Sequence, residues 1–484
     1  MALVTPTDYS HEIFGTWLFS YHWTSLNLTY SFPVAAEDYG YVGRTPIAEL
    51  LPDQVSAVER AMAEISGFTQ LTFEKSGEAG DGVLRFSRDT GETGAYAYLP
   101  NGEDSGGDSF YGRNTAGAQI GNEANLYFLH ELGHALGLEH GHQSVTFAKS
   151  AYNSQEFTLM TYTDYVGDTN LHEYASGAVD WAQSYQQLDI AALQYLYGAN
   201  YSARGEVWSG RSVYTFDPLT GEMSINGEGQ GTPAGNRIFR TIWDGHGKDT
   251  YDLSNYDNGV QIDLRPGAWS TFSQGQLADL NRFGDGPNMT ARGNVANALL
   301  VDGDNRSLIE NAFGGAGEDS IMGNRAANRL SGLDGDDWIN GGAGNDVLLG
   351  GRGNDTLIGG RGDDILRGGA GRDTLQGGGG ADQLYGGAGA DCFVFDLRSG
   401  DGSEAGVSRI MDFVSGLDTI QIIAEVAALE LRIDRFFSPD GPSVSTRVVG
   451  EHTRVRVDFD GDRQADLVFK VVGVDHLVDA DFLF

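Results

Sequence analysis

A nine-residue rhythm constrains this chain more than any other feature. Ile321, Leu330, Ile339, Leu348, Leu357, Leu366, Leu375, Leu384 and Phe393 stand nine apart. Two positions before each comes Asp319, Asn328, Asp337, Asp346, Asp355, Asp364, Asp373, Asp382 or Asp391. Glycines complete the pattern GGxGxDxUx, where U is apolar, and 25 of the chain's 70 glycines fall between Gly314 and Gly389. A period of nine suits neither an α-helix nor a simple β-hairpin. It suits a coil in which each Gly-Asp half turns and each xUx half is a short strand with its apolar side chain inward. Two repeats then complete one turn of a parallel β-roll.

The turns expose carbonyl and carboxylate oxygens, the donors that a hard cation such as Ca²⁺ prefers. The expected ligands are Gly315, Gly317 and Asp319, then Asp337, then Gly342, Gly344 and Asp346. Gly351, Gly353 and Asp355 follow, with Gly360, Gly362 and Asp364, and Gly369, Gly371 and Asp373. Gly378, Gly380 and Asp382, and Gly387, Gly389 and Asp391, close the series. Two repeats depart from the pattern: residues 323–331 keep one glycine and carry Asn for Asp, and 332–335 lack the second glycine. Strong ions are not expected there. The strict apolar phasing excludes a merely flexible Gly-Asp linker.

Calcium also answers a problem of composition. The chain has one cysteine, Cys392, so no intramolecular disulfide and no CxxC metal site can form, and bound ions are the available staples. Its 31 Lys+Arg against 68 Asp+Glu give a net charge of -37, which disfavours a nucleic-acid partner and favours cations. No window is apolar for long enough to span a membrane. The opening residues MALVTPTDYSHEIF have no basic segment followed by an apolar one, so no Sec-type signal peptide is expected. A length of 484 residues predicts about three domains.

The first 200 or so residues are an ordinary α+β mixture. Val55, Val58, Met62 and Ile65 after Pro52-Asp53 predict an amphipathic helix, and strand-like runs follow at 71–73, 83–86, 95–99 and 109–111. A second helix is expected over 122–136. It carries His130, Glu131, His134, Gly137 and His140 in the spacing HExxHxxGxxH. Histidines four apart share one helix face and can hold one zinc ion, with Glu131 beside them to take a proton from zinc-bound water. Gly137 can end the helix through a positive φ and return His140 as a third ligand. Three nitrogens leave a coordination position open, as in catalytic zinc sites. By chance the five-position motif arises in on the order of one such chain in ten thousand. Leu159-Met160-Thr161-Tyr162, about 20 residues on, matches the Met-turn of metzincin zinc peptidases, with Met160 as its methionine.

With both motifs present, residues 26–198 resemble the catalytic domain of serralysin-type metalloproteases, the secreted bacterial branch of the metzincins (peptidase family M10B), and the nonapeptides resemble their repeat-in-toxin (RTX) domain. The resemblance implies one catalytic Zn²⁺ and several structural Ca²⁺. It implies that Tyr162 is an additional, displaceable zinc ligand that turns to the oxyanion once substrate binds. Residues 187–198 resemble the helix that closes the protease domain and 28–33 its first strand; 95–100 are the expected edge strand for an extended peptide. Residues 241–252 resemble the start of the calcium domain, which carries over Asp244, His246 through its carbonyl, and Asp249 to one ion, and Gly247, Asp249 and Glu310 to a second. Residues 215–237 look like an inserted hairpin or loop.

The expected fold is thus an α+β metzincin catalytic domain followed by an all-β parallel β-roll. Its parts are a leader or propeptide (1–25), the protease domain (26–198), a connecting β region (199–312), the RTX roll (313–396) and a β cap (397–484). Residues 481–484, one acidic and three apolar, resemble the uncleaved type I secretion signal of these proteases. Export without an N-terminal signal peptide is therefore expected, with protein or peptide substrates, the type I secretion apparatus and a protein inhibitor as partners, and a monomer as the assembly. The rival is a catalytically silent RTX adhesin or surface-layer protein that binds calcium. A complete set of His130, Glu131, His134, His140 and Tyr162 weighs against that rival, because a binding module has no use for it.

Overall fold

The computed structural model describes residues 21–40, 46–77, 80–141, 150–168, 176–202, 209–282, 289–396, 406–423, 429–433, 436–438 and 441–483. Most of the leader expected over 1–25 lies outside them, as does Phe484. The chain forms two compact units: Met1–Asp249 with Pro266–Ser307, and Thr250–Arg265 with Leu308–Phe484.

The first unit is built on a six-stranded sheet of β1 (Asn27–Ser31), β2 (Ile47–Ala48), β3 (Thr72–Lys75), β4 (Leu84–Asp89), β5 (Ala95–Ala97) and β6 (Asp108–Tyr111). Its order is β3-β1-β4-β6-β5, with β2 paired to β4. The pairs β1/β3, β1/β4 and β4/β6 are parallel, whereas β5 runs antiparallel to β6 and forms the edge. Helix α1 (Pro52–Phe68) starts on a proline, whose missing N–H costs nothing at a helix N-terminus. It buries Ala57, Val58, Ala61, Met62, Ile65 and Phe68; of the apolar positions that the spacing predicted, Val58, Met62 and Ile65 are buried and Val55 is half-buried. Helix α2 (Glu123–Ala135) is capped by Asn122, whose Oδ1 accepts the Asn125 N–H at 2.9 Å. Phe128 of α2 stacks on Tyr111 of β6 with ring centroids 4.2 Å apart, which docks the helix on the sheet. Helix α3 (Gln187–Tyr197) ends at Gly198, with φ 78°. The inserted segment forms a hairpin of Val213–Phe216 against Met223–Ile225. Asp217 Oδ1 closes its turn by accepting the N–H groups of Leu219 and Thr220 at 2.7 and 2.9 Å.

The second unit is a parallel β-roll. Along one ladder Leu330, Leu348, Leu366 and Leu384 pair in register, and along the other Ile339, Leu357, Leu375 and Phe393 do so. All eight are fully buried, so the apolar position of every repeat points into one shared core. The ladders also extend beyond the repeats. Thr250–Asp252 and Gln261–Asp263 pair with Asn311–Phe313 and Ser320–Met322 upstream, and Ser408–Ile410 and Thr419–Ile423 continue them downstream. Beyond these, Ser443–Val449, His452–Asp458 and Leu467–Val472 form an antiparallel meander, and Phe482–Leu483 pairs with Thr419–Ile423.

Candidate metal centres

Helix α2 places His130 and His134 one turn apart, and the chain reverses after it through Gly137 at φ 103°, the left-handed conformation expected of a glycine there. His140 thereby comes back to them. The Nε2 atoms of the three rings lie 3.0 to 3.1 Å from one another. The Tyr162 hydroxyl is 3.0 Å from His140 Nε2.

Two carbonyls settle what these nitrogens can do. His130 Nδ1 is 2.8 Å from the Leu159 oxygen, and His134 Nδ1 is 2.6 Å from the Leu138 oxygen. A carbonyl only accepts, so each Nδ1 carries the proton and each neutral ring turns an Nε2 lone pair inward. Lone pairs converging at about 3 Å repel unless a cation lies among them. The donor set therefore fits a metal ion, and an all-imidazole set with one phenol suits zinc.

Glu131 is next to this cluster and buried. Burial pushes its carboxyl up to about 8, while a hydrogen bond from the Ala97 N–H pulls in the opposite direction. Ala97 lies in β5, and in the antiparallel pairing its neighbours carry the bonds to β6, so its own N–H faces outward from the edge. Met160 is fully buried against Gly133, and its carbonyl accepts the Gly141 N–H at 2.9 Å.

A residue not singled out from the sequence holds this arrangement. Asp189 Oδ2 accepts the N–H groups of Leu159 and Gln186 at 2.8 and 3.0 Å, and its Oδ1 accepts the Thr158 hydroxyl at 2.7 Å. It fixes the loop whose Leu159 carbonyl orients His130. Burial raises its carboxyl to about 7. The signal was present as an acidic residue in the first turn of α3, where it also caps the helix.

In the roll, the aspartates form a repeating rung. The backbone N–H of Asp337, Asp346, Asp355, Asp364 and Asp373 donates to Oδ1 of the aspartate 18 residues later, at 2.8 to 3.1 Å. Oδ2 of Asp337, Asp346, Asp355, Asp364, Asp373 and Asp391 is buried without a hydrogen-bond donor. Carbonyl oxygens face the same space. A β-carbon on Gly341, Gly350 or Gly359 would collide both with Oδ2 of Asp346, Asp355 or Asp364 and with the carbonyl of Gly359, Gly368 or Gly377. Orphaned carboxylate oxygens beside stacked carbonyls fit a hard cation.

Two expected ligands differ. Asp319 has both oxygens occupied, by the N–H groups of Val260 and Gly315 at 2.7 Å each. Asp382 accepts from the Asp364 N–H at 3.1 Å and the Ser408 hydroxyl at 3.0 Å. The Asn-bearing repeat supplies its own donors: Asn324 Nδ2 reaches the carbonyls of Leu264 and Ile309, and Asn328 Nδ2 that of Glu310. These amides stand where a cation would otherwise be needed. Asp418, missed in the sequence because its repeat lacks the glycines, continues the rung by accepting the Asp391 N–H at 3.0 Å.

In the first unit, Asp244 accepts the Tyr214 hydroxyl at 2.6 Å and the His246 N–H at 3.2 Å, and Asp249 accepts the Ser212 N–H at 2.8 Å. Burial pushes the Asp244 carboxyl up to about 6. Gly247 pairs with Gly210 in the same unit, whereas Glu310 belongs to the second.

Comparison with known proteins agrees with this architecture. The family described as Peptidase M10 serralysin C terminal matches residues 199–484. A metallopeptidase AprA of Pseudomonas marginalis is 31% identical over 470 residues, covering 93% of this chain and 84% of the relative. The metalloprotease AprA of Pseudomonas entomophila (strain L48) is 30% identical over 474 residues, with the same coverage of 93% and 84%. A serralysin of Proteus mirabilis is 34% identical over 256 residues, or 49% of this chain and 44% of that protein. With a family match across more than half its length and relatives aligned along most of theirs, this chain belongs to the serralysin family of metalloproteases.

Proposed function

We propose that the chain is a secreted, calcium-stabilised zinc endopeptidase whose first unit is a metzincin catalytic domain. The observation that carries the reading is the convergence of three histidine Nε2 atoms, two of them on rings protonated at Nδ1, beside a buried glutamate and an edge strand. His130, His134 and His140 would hold the zinc ion, with Tyr162 as a displaceable fourth ligand. When bound, the ion supplies a Lewis acid for the scissile carbonyl and acidifies water.

The protein's own groups do the rest. Glu131, buried beside the histidines, would accept the proton of the attacking water and return it to the leaving amine nitrogen. The outward backbone groups of β5 other than the Ala97 N–H, which Glu131 holds, would extend the sheet onto an extended peptide, a mode that tolerates many sequences. The Tyr162 hydroxyl, 3.0 Å from His140 Nε2, would donate to the oxyanion.

The RTX aspartates and glycines, with Asp244, His246, Gly247, Asp249 and Glu310, would hold the structural Ca²⁺. The organisation into leader, protease domain (26–198), connecting region, roll (313–396) and cap, with export by a type I apparatus, accompanies this reading. The test is Glu131→Ala. The variant should retain zinc and fold while losing casein hydrolysis, and turnover retained by the pure variant would sink the assignment.

A further inference from the structure

A cavity of about 230 Å³ lies within the first unit, against a face of α2 formed by Asn125 and Leu129. It exceeds the roughly 150 Å³ cavity that accepts benzene and falls short of the roughly 300 Å³ at which drug-sized pockets begin. Apolar walls come from Ala61, Phe68, Ile190, Met223 and Trp243. The inserted hairpin covers it through Met223 and Gln230, which gives that segment a structural role the sequence did not reveal.

Three charged side chains line this space: Arg60 is exposed and donates to Asn125 Oδ1 at 3.1 Å, while Glu64 and Arg240 form no ion pair among the described residues. Glu64 accepts one hydrogen bond, from the Tyr185 N–H to Oε1 at 2.8 Å, and Oε2 has no partner among the described residues. Arg240 donates from Nη1 to the Met223 sulfur at 3.3 Å, a weak acceptor, and no described carboxylate comes within ion-pairing distance. The two charges are near enough to influence each other. Both are half-buried, and burial works against the charged form of each more strongly than their mutual attraction favours it. A charge so placed demands a partner. An anion alone would leave Glu64 unanswered, a cation alone would leave Arg240 unanswered, and an apolar ligand would desolvate both. A small zwitterion with an apolar body answers the charges and the walls together.

We propose that this cavity binds a free apolar α-amino acid, its carboxylate on Arg240, its ammonium group on Glu64 and its side chain against Phe68, Met223 and Trp243. Such molecules are what exhaustive proteolysis releases. Tyr185 connects the site to α2, since its N–H is held by Glu64 and its hydroxyl donates to the Leu129 carbonyl at 2.7 Å, one residue before His130.

Calorimetric titration of the full chain, in the Glu131→Ala background with zinc and calcium present, tests the proposal without requiring cleavage. L-Phenylalanine and L-leucine should bind with saturation. Phenethylamine and 3-phenylpropionate, each lacking one charge, should bind at least about tenfold more weakly, as should the amino acids to Arg240→Met and Glu64→Gln. Arg240→Lys should restore part of the loss. Ala61→Leu, which fills the cavity while leaving both charges, should abolish binding and serves if a charge variant does not fold. Absence of saturable heat up to about 10 mM, or binding by Arg240→Met and Ala61→Leu as strong as that of the parent, would overturn it.

Discussion

Gly133 and Met160 are packed so closely that a β-carbon on Gly133 would stand 2.9 Å from the Met160 sulfur. Gly133 sits between His130 and His134 on α2, so the Met-turn presses on the helix midway between two candidate zinc ligands. The glycine inside a helix, ordinarily a weakness, is here the condition for that contact.

Gly133→Ala should accordingly destabilise the first unit. Its methyl group would force the sulfur or the helix to move, and overpacking of this kind costs about 1–3 kcal/mol. Thermal denaturation should show a lower midpoint, and competition with a chelator should show weaker zinc retention. An unchanged midpoint would mean that Met160 has room to yield.

Asp189→Asn tests the support beneath the histidines. An amide cannot accept from Thr158, Leu159 and Gln186 together, so the Leu159 carbonyl should lose its fixed position against His130 Nδ1. Loss of such an outer partner typically lowers metal affinity or activity by about 10–100-fold. Zinc competition and peptide turnover should fall together, with helix content retained by circular dichroism.

Leu333 occupies a glycine position of the repeat at φ 83°, a conformation costing an L-residue about 1–2 kcal/mol. Leu333→Gly should relieve that strain against the entropy that glycine adds to the unfolded chain, a net gain of about 0.5–1 kcal/mol. Urea denaturation at saturating calcium would show it as a higher midpoint with unchanged slope.

The aspartate rungs predict how the roll responds to pH when calcium is removed. Burial pushes Asp337 up to about 8, Asp364 and Asp373 to about 7, and Asp346 and Asp355 to about 6. Raised values mean that the folded chain holds more protons than the unfolded one, so stability is greatest in acid and declines as pH rises from about 4 to 8. Hydrogen exchange of residues 329–388 in excess chelator should therefore accelerate along that range beyond the intrinsic exchange rate, and calcium should remove the trend. Protection that increases with pH in chelator would contradict it.

How much of this was legible in the sequence depended on periodicity. The roll's core followed from Leu348 and its counterparts, because a strict period leaves one inward position per repeat. The histidine cluster followed from His130, His134 and His140, because helix geometry and the turn at Gly137 convert spacing into proximity. The Asp189–Leu159 and Ala97–Glu131 contacts did not, since each runs through a backbone N–H distant in sequence, and backbone groups carry no residue-type signal. The outer strands of the roll were missed for a related reason. Thr250–Asp252 and Thr419–Ile423 join its ladders without the glycine pattern, because pairing in register asks only for an extended backbone and an apolar side chain such as Tyr251 or Ile420.

The 18-residue rungs have a polarity. Each aspartate's N–H depends on a carboxylate that arrives later in the chain, and at the far end the debt is met by Ser408 for Asp382 and Asp418 for Asp391. Ser408 and Asp418 thus close the last two rungs from outside the repeats. Cutting the chain before residue 408 would leave the N–H groups of Asp382 and Asp391 without these acceptors.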